Sequence, residues 1–310
     1  MVSVGAIEYR TGVVVRARWR VAKVAVLAAM VLAAVAEAVP GVASADAVPT
    51  VTSGFYLALG ASESVGWQPT LVAPGGQRTD QGYANDLVAF EAARGVRLDL
   101  TQLGCPGENT ATMISGADRC YRSTGSQLAS AVAFLEAHRG EPGIVTLDMG
   151  FNNVMSCMRA GVVDATCVSA HLAVVRTELS YIVTTLKAAA GPGVTFVGLS
   201  HYDPFAAATI AHVGGLGYAH HSDSAIYQLN QVADDVFVQN GLRVANVASV
   251  FHVTRATRSH VRATTSRVDS VCDLTWMCQP APLGPNLHPN AAGYAAIAGA
   301  IEAVLPAPWA

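Results

Sequence analysis

The stretch Phe-Tyr-Leu-Ala-Leu-Gly-Ala-Ser-Glu-Ser-Val-Gly (55–66) joins a short apolar run to a turn that carries a serine. We predict a strand over Phe55–Ala61, because a short apolar run that ends in small residues is typical of a strand buried on both faces. Ser62 follows directly, and Gly60 and Gly66 give the turn room. Sites in parallel sheets form beyond the carboxyl ends of strands, so we expect chemistry at this turn. A serine that caps a helix in a tight turn is the alternative.

The rest of the chain alternates between strand-like and helix-like stretches. This alternation predicts an α/β fold with a central parallel sheet covered on both faces, in one domain over 46–310. Trp67–Gln81 and Thr254–Ser270 are predicted as irregular loops, which either cover the site or lie in solvent. Residues 214–217 are predicted as a turn. Further strands are predicted at Val96–Leu103, Gly143–Met149, Val194–Leu199 and Leu242–Val250, and helices at Tyr83–Ala93, Ser126–His138, His171–Ala189, Ala225–Gln239 and 291–304.

The first 45 residues have the pattern of an export signal. Arg16 to Lys23 form a basic segment, Val24–Ala36 is apolar, and Ala43-Ser44-Ala45 is a small-residue cleavage site. The apolar run is too short to span a bilayer comfortably. We therefore expect cleavage near Ala45 and a secreted or envelope-associated protein with no stable membrane span. An uncleaved membrane anchor is the alternative.

Without residues 1–45 the chain has 14 basic and 20 acidic residues, a formal charge of −6. Lys187 is then its one lysine. Nucleic-acid binding requires a basic surface, so this class of function is excluded. We expect a monomer whose partner is a small-molecule or lipid substrate.

The six cysteines all follow residue 45 and form three couples that are close in sequence. In an exported protein an even number of cysteines favours disulfides over metal binding. Six cysteines allow 15 pairing schemes, and proximity favours one of them as a preference only. Reduced buried thiols are the alternative. The preferred bridges are Cys105–Cys120, Cys157–Cys167 and Cys272–Cys278.

His288 precedes Pro289 and Asn290, and Asn290 is placed to cap the last predicted helix. That helix would fix the imidazole, which can act as a base near neutral pH. A structural histidine that closes a loop is the alternative. If His288 is the base and has an ordinary pKa, the rate of acyl-enzyme formation should rise with pH through about 6–7.

A serine nucleophile also needs donors for the negative charge that develops on the substrate. The backbone N–H groups of Ser62 and Gly107 and the side-chain amide of Asn152 are the candidates. Gly107 has no side chain, so a ligand can approach its N–H closely. For Asn152 the alternative is that it caps a helix.

These ordered blocks resemble those of the SGNH hydrolases, also called GDSL esterases and lipases. The likeness extends from Phe55 to Tyr294, and Cys-Pro-Gly-Glu (105–108), Leu-Thr-Trp-Met-Cys (274–278) and His-Pro-Asn-Ala-Ala-Gly-Tyr (288–294) resemble a secreted bacterial branch with three disulfides. The resemblance implies a flavodoxin-like α/β/α sandwich and hydrolysis of carboxylic esters without a cofactor or metal.

The chain departs from the family pattern at the acidic positions. Ala61 stands where the family has an aspartate before the serine, and Asn153 where it has one after the asparagine. The family's catalytic acid would fall at Pro285, or in related members at Asn286. Asn286, Asp273 and backbone carbonyls at 279–283 are therefore the candidates for orienting His288.

We expect an esterase or lipase in which Ser62 attacks the ester and His288 transfers its proton. Trp67, Phe151 and Met155 are the candidates for lining the acyl pocket. An acyltransferase of the cell envelope and a non-catalytic surface or glycan-binding module on the same fold are the alternatives.

Overall fold

The computed structural model describes residues 53–117, 120–253 and 260–306, with the backbone alone for 260–265. The predicted signal peptide, residues 1–45, lies outside the described residues, as do residues 254–259 of the second predicted loop. Within the described part of the chain, no helix combines the length and the apolar character that crossing a bilayer requires.

The centre of the fold is a parallel sheet of five strands in the order β2-β1-β3-β6-β7. Its middle strands are buried on both faces, which explains their continuous apolar sequences. A separate antiparallel pair, β4 and β5, forms a small hairpin. The strands are β1 Ser53–Gly60, β2 Arg97–Gln102, β3 Gly143–Asp148, β4 Met158–Arg159, β5 Val162–Val163, β6 Val194–Leu199 and β7 Arg243–Ala245.

The sheet order reverses beside β1, which pairs with β2 on one side and with β3 on the other. Connections leave in opposite directions at such a point, so a crevice opens beyond the carboxyl ends of the two strands. Gly60 and Asp148, the last residues of β1 and β3, are direct neighbours in the register. The two loops that follow these strands therefore lie side by side.

Helices flank the sheet in two groups. In one group α1 packs against α9, and in the other α3 and α6 both pack against α5. This three-layer arrangement confirms the predicted α/β/α fold. The helices are α1 Tyr83–Ala93, α2 Thr110–Ser115, α3 Gln127–Ala137, α4 Phe151–Met155, α5 Ala165–Ala189, α6 Leu216–Gln239, α7 Val247–Val250, α8 His260–Leu274 and α9 Ala291–Glu302.

Three predictions of secondary structure were wrong. The strand predicted over Leu242–Val250 ends at Ala245, because the Asn246 side chain accepts a hydrogen bond from the Ser249 N–H and caps a short helix. Residues 260–270 belong to α8 instead of a loop. The glycine-rich segment 214–217 is only partly a turn, since Gly215 caps α6 and the helix begins at Leu216.

All six cysteines form disulfides in the structure. Cys105–Cys120 closes part of the loop after β2, and Cys157–Cys167 joins the loop after β3 to α5. Cys272–Cys278 joins the end of α8 to the segment that leads to His288. Each bridge therefore restrains a segment next to the crevice.

Candidate active site

Ser62 and His288 meet in the crevice although 226 positions separate them. The His288 Nε2 atom lies 3.0 Å from the Ser62 Oγ atom. Ser62 precedes a short 3₁₀ helix, Glu63–Val65, and its side chain makes no capping hydrogen bond there. The hydroxyl is therefore directed at the imidazole and not at the helix terminus.

A buried carboxylate holds the backbone beneath the serine. The Ala61 N–H donates to the Asp148 Oδ1 atom at 2.7 Å, and the Tyr83 hydroxyl donates to Oδ2 at 3.2 Å. Gly60 makes room for this contact, because a Cβ atom there would lie 1.8 Å from Oδ1 and the residue has a φ of +137°. Asp148 thus supplies a carboxyl group beside the position where Ala61 lacks one.

Gln127 fixes the same turn from α3. Its Oε1 atom accepts the Gly60 N–H at 2.7 Å and its Nε2 atom donates to the Gly60 carbonyl at 2.9 Å. The backbone N–H and carbonyl of Gly60 are therefore both hydrogen-bonded, which fixes the end of β1 just before Ser62.

Sequence reasoning missed the roles of Asp148 and Gln127. An acid in a strand expected to be buried on both faces was an available signal, because a buried carboxylate needs hydrogen-bond partners. Gln127 offered no such signal, since one glutamine at the start of a helix is unremarkable.

Asn286 orients the imidazole of His288. Its Oδ1 atom lies 2.7 Å from the His288 Nδ1 atom and also accepts the His288 backbone N–H at 3.1 Å. Because a backbone N–H can only donate, the shared atom is the amide oxygen. Nδ1 therefore carries the proton, and the lone pair of Nε2 faces Ser62.

Asp273, the other candidate for this role, has an exposed position at the end of α8. Its backbone carbonyl accepts a hydrogen bond from the Asn290 Nδ2 atom at 2.8 Å. Among the described residues, the side chain that contacts the His288 Nδ1 atom is Asn286 and not Asp273.

Backbone hydrogen bonds fix the path of the histidine loop, residues 275–290. The Trp276 N–H donates to the His288 carbonyl at 3.0 Å, and the Asn286 N–H donates to the Trp276 carbonyl at 3.1 Å. The Asn290 side chain accepts the Gly293 N–H at 3.0 Å and caps α9, as predicted.

Helix α9 also reaches the serine turn. The Tyr294 hydroxyl donates to the Trp67 carbonyl at 2.9 Å, and the Trp67 N–H donates to the Ser62 carbonyl at 3.1 Å. Asn290 and Tyr294 lie one helical turn apart, so a single helix end contacts both the histidine loop and the serine turn.

Burial lowers the pKa of His288 to about 4, because removal from water disfavours the imidazolium. The amide of Asn286 carries no charge that would oppose this effect. His288 is therefore neutral, and able to accept a proton, at and well below neutral pH. From the sequence we expected an ordinary pKa for His288 and a rise in rate through about pH 6–7. The lower pKa moves the expected rise to a lower pH.

Two carboxyl groups near the serine have raised pKa values. Burial raises the pKa of Glu63 to about 7. Burial and, secondarily, the charge of Glu63 raise the pKa of Asp148 well above its ordinary value. This pair was not predicted from the sequence.

Two of the oxyanion candidates, Gly107 and Asn152, lie close together in the cavity wall. The Asn152 Nδ2 atom donates to the Glu108 carbonyl at 2.9 Å, which ties α4 to the loop that contains Gly107. Gly107 has a φ of +86°, a conformation that favours glycine. Asn152 lies inside α4, whose N-cap is Gly150, so the capping alternative for Asn152 was wrong.

Asn153, the next residue of α4, hydrogen-bonds to the first residue of α2. Its Oδ1 atom accepts the Thr110 N–H at 3.2 Å and its Nδ2 atom donates to the Thr110 hydroxyl at 2.8 Å. The amide that replaces the family's aspartate thus uses both of its ends to join α4 to α2.

A cavity of about 340 Å³ contains Ser62, His288, Gly107 and Asn152 in its walls. The three residues expected to line the acyl pocket, Trp67, Phe151 and Met155, line it as well. Its ionisable residues comprise two histidines and three acids, and the described lining includes neither lysine nor arginine. These ionisable residues are Glu63, Glu108, Asp148, His201 and His288.

One cluster in the described residues combines three side chains of metal-ligand type, namely Cys157, Cys167 and His171. The two sulfur atoms are bonded to each other in a disulfide. They are not thiolates, which are the form in which cysteine binds metal.

A family model described as the GDSL-like Lipase/Acylhydrolase family matches residues 58–296 of this chain. The chain therefore belongs to this family, which agrees with the resemblance of its sequence blocks. No curated protein matches the sequence significantly.

Two solved structures share the fold. One is phospholipase A1 from Streptomyces albidoflavus NA297, with 19% identity, a TM-score of 0.53, and coverage of 81% of this chain and 99% of that one. The other is an extracellular lipase from Streptomyces rimosus, with 17% identity, a TM-score of 0.52, and coverage of 81% and 100%. At these identities the likeness concerns the fold.

Proposed function

We propose that this protein is a secreted serine esterase or lipase that hydrolyses carboxylic esters. The observation that carries the proposal is the chain of contacts from the Asn286 Oδ1 atom through the imidazole of His288 to the Ser62 hydroxyl, at 2.7 and 3.0 Å. These distances lie within the range for proton transfer between a nucleophile and its base. The oriented base also argues against a purely non-catalytic module.

In the first half of the reaction the Ser62 Oγ atom attacks the ester carbonyl while His288 Nε2 takes the hydroxyl proton. The carbonyl oxygen becomes an oxyanion. As the tetrahedral intermediate collapses, the imidazolium passes its proton to the leaving alcohol, and Ser62 remains acylated. A water molecule then attacks the acyl group and gives a proton to Nε2, which passes it to the Ser62 Oγ atom as the acid leaves.

We assign the oxyanion to the backbone N–H groups of Ser62 and Gly107 and to the side chain of Asn152. The Asn152 Nδ2 atom has two protons, and one of them is given to the Glu108 carbonyl. This bond fixes the plane of the amide before the substrate arrives, and the second proton serves the oxyanion. Preorganised donors of this kind are typically worth about 3–4 kcal/mol each in the transition state.

Asn286 replaces the usual acid by fixing the imidazole tautomer. The amide oxygen holds the proton on Nδ1 and leaves Nε2 basic. A catalytic acid does the same and in addition stabilises the imidazolium by its charge. It adds no negative charge, so it stabilises the imidazolium less than a carboxylate would. We therefore expect a working enzyme with a slower acylation step.

The assignment to the outside of the cell is supported by the signal-like residues 1–45 and by three disulfides that restrain the active-site segments. Disulfides persist in oxidising compartments and are rare in the cytosol.

The test is hydrolysis of a soluble short-chain aryl ester by the protein and its Ser62→Ala variant. Loss of the nucleophile is expected to reduce kcat at least about 1,000-fold. A serine-directed phosphonate should label Ser62 in the parent. Ser224→Ala, an exposed serine on α6, is the matched control and should retain full activity. Equal turnover by the parent and the Ser62→Ala variant would remove the proposal.

A further inference from the structure

The cavity wall contains a second histidine that the proposed mechanism does not use. His201 lies just beyond the end of β6 and is only 3% exposed, and it forms part of the cavity lining. A buried polar ring is normally hydrogen-bonded, so each of its two nitrogen atoms needs an account.

The backbone of His201 is fixed by a buried amide on α6. The His201 N–H donates to the Asn230 Oδ1 atom at 2.7 Å, and the Asn230 Nδ2 atom donates to the His201 carbonyl at 2.8 Å. One side chain thus satisfies both backbone groups, and the imidazole extends from a fixed point into the cavity wall.

The ring of His201 is held in one tautomer. Burial lowers the pKa of His201 to about 4, so the ring is neutral at neutral pH and carries a single N–H proton. Its Nε2 atom lies 3.2 Å from the Met149 carbonyl oxygen. Because a carbonyl can only accept, Nε2 carries the proton and Nδ1 has the lone pair.

The Nδ1 atom of His201 is open to a ligand. The contact with Met149 is the polar contact that this ring makes among the described residues. Nδ1 is not one of the fully enclosed, unpaired polar atoms of those residues, so it is accessible. Since the accessible part of His201 lines the cavity, Nδ1 offers a hydrogen-bond acceptor there.

The position of His201 indicates which part of an ester would meet this acceptor. The leaving alcohol must lie near His288, because His288 protonates it. His201 is tied instead to Met149 and packs near Phe151, with ring centroids 6.0 Å apart. Phe151 is a candidate for lining the acyl pocket, so the lone pair lies on the acyl side.

We propose that His201 is a specificity-determining residue whose Nδ1 atom accepts a hydrogen bond from a hydroxyl group on the acyl part of the ester. The preferred substrates are then esters of hydroxy acids. This inference rests on the proposed esterase function and narrows its substrate class.

The test compares soluble aryl esters in matched pairs, in which a methyl group replaces the hydroxyl. Lactate is paired with isobutyrate, and β-hydroxybutyrate with isovalerate. The hydroxy preference is the kcat/KM of the hydroxylated ester divided by that of its methyl analogue. It should be about tenfold in at least one pair, because the methyl group displaces water from Nδ1 and leaves the lone pair unsatisfied.

His201→Phe keeps a planar ring and removes the lone pair, so the hydroxy preference should fall about tenfold. His201→Leu, which also lacks an acceptor, takes its place if the phenylalanine variant does not fold. His221→Phe, at an exposed position on α6, is the matched control and should keep the parental preference.

Binding measurements separate this inference from the proposed function. If the parent hydrolyses none of these esters, the esterase proposal fails. Calorimetric titration of the Ser62→Ala protein with the same intact pairs then decides the role of His201. About tenfold tighter binding of the hydroxylated ester, lost when His201→Phe is added, supports the role, and equal binding within both pairs overturns it.

Three kinetic outcomes would also overturn the inference. The first is a hydroxy preference near one in both acyl pairs. The second is a preference that His201→Phe or His201→Leu leaves unchanged. The third is a preference confined to a hydroxyl on the alcohol, as in a glycol monoester compared with a propyl ester, which would place the contact on the leaving-group side.

Discussion

The two halves of the candidate active site are held by different kinds of contact. On the nucleophile side, the turn at 60–62 is fixed by a buried carboxylate and a buried glutamine from elements of regular structure. On the histidine side, residues 286–290 are fixed by backbone hydrogen bonds within an irregular loop, by the cap of α9 and by an amide.

Both halves lack an acid at a position where the family has one, and the structure compensates for only one of these losses. Beside Ala61, the carboxyl group of Asp148 accepts the backbone N–H of the turn. Beside His288, the oxygen of Asn286 takes the imidazole N–H, and no charge is supplied. The backbone of the serine turn is therefore held by a carboxyl group, whereas His288 lacks a neighbouring charge that would raise its basicity.

The largest effect is expected from crowding the nucleophile side. Gly60→Ala would place a Cβ atom 1.8 Å from the Asp148 Oδ1 atom at a φ of +137°. Strain and overpacking together should lower the free energy of unfolding by about 3 kcal/mol or more. Urea denaturation followed by circular dichroism measures this change.

Gly299→Ala in α9 is the matched control on the histidine side, because a Cβ atom there meets nothing within 4 Å. It should be neutral or stabilising by up to about 1 kcal/mol. A Gly60→Ala protein as stable as the parent would show that the serine turn is not rigidly held.

The second prediction restores charge to the histidine side. Asn286→Asp would place a carboxylate where the amide oxygen now lies 2.7 Å from Nδ1. Because a carboxylate stabilises the imidazolium, kcat should rise about tenfold, whereas Asn286→Ala, which leaves the tautomer unfixed, should lower it by a similar factor. Steady-state hydrolysis of a soluble ester distinguishes the two variants.

The pH profile gives an independent readout of the same change. His288 accepts a proton only when neutral, so the parental rate should rise with pH through about 4 and be level between 6 and 7. In Asn286→Asp the carboxylate raises the pKa of His288, and the rise should move to higher pH. Identical profiles for the parent and this variant would contradict the role given to Asn286.

The third prediction concerns stability on the nucleophile side. The folded pKa of Glu63 is raised from 4.5 to about 7, so the fold favours the protonated form. Its contribution is complete below the unfolded pKa and is lost as the pH rises through about 7. The free energy of unfolding should therefore fall between pH 5 and 7.5, and Glu63→Gln should reduce this fall by about 1–3 kcal/mol.

Thermal or urea unfolding at the two pH values measures this difference. Glu136→Gln, at an exposed position on α3, is the matched control and should leave the fall unchanged. A fall equally steep in Glu63→Gln would place its origin elsewhere, with Asp148 and its raised pKa as the next candidate.

Regular elements were predicted well where the local pattern was sufficient. The bounds of the helix Tyr83–Ala93 and of the strand Val194–Leu199 agree with the prediction, because helical spacing and a continuous apolar run mark them. Helix α8 was missed because its many arginine, serine and threonine residues resemble a loop, although Val268 and Val271 pack on the core.

The two central residues of the candidate site were predictable from the sequence, whereas the contacts that hold them in place were not. The residues Ser62 and His288 follow from the sequence blocks and from the rule that sites lie beyond strand ends. The contact of Asp148 with the serine turn depends on the pairing of Gly60 with Asp148 across the sheet, which no local pattern shows. The choice of Asn286 among several candidates depends on the path of a loop that is held partly by hydrogen bonds between residues ten or more apart, such as Trp276 and His288.

Helix α9, with 12 residues, has a consequence for when activity arises. Synthesis proceeds from the amino terminus, so Ser62 leaves the ribosome long before Asn290 and Tyr294. Until those two residues reach their partners, the nascent chain contains a serine without its base and a turn without one of its anchors. In the proposed mechanism, the hydroxyl therefore lacks its base throughout elongation, and activity can begin only when the final helix docks.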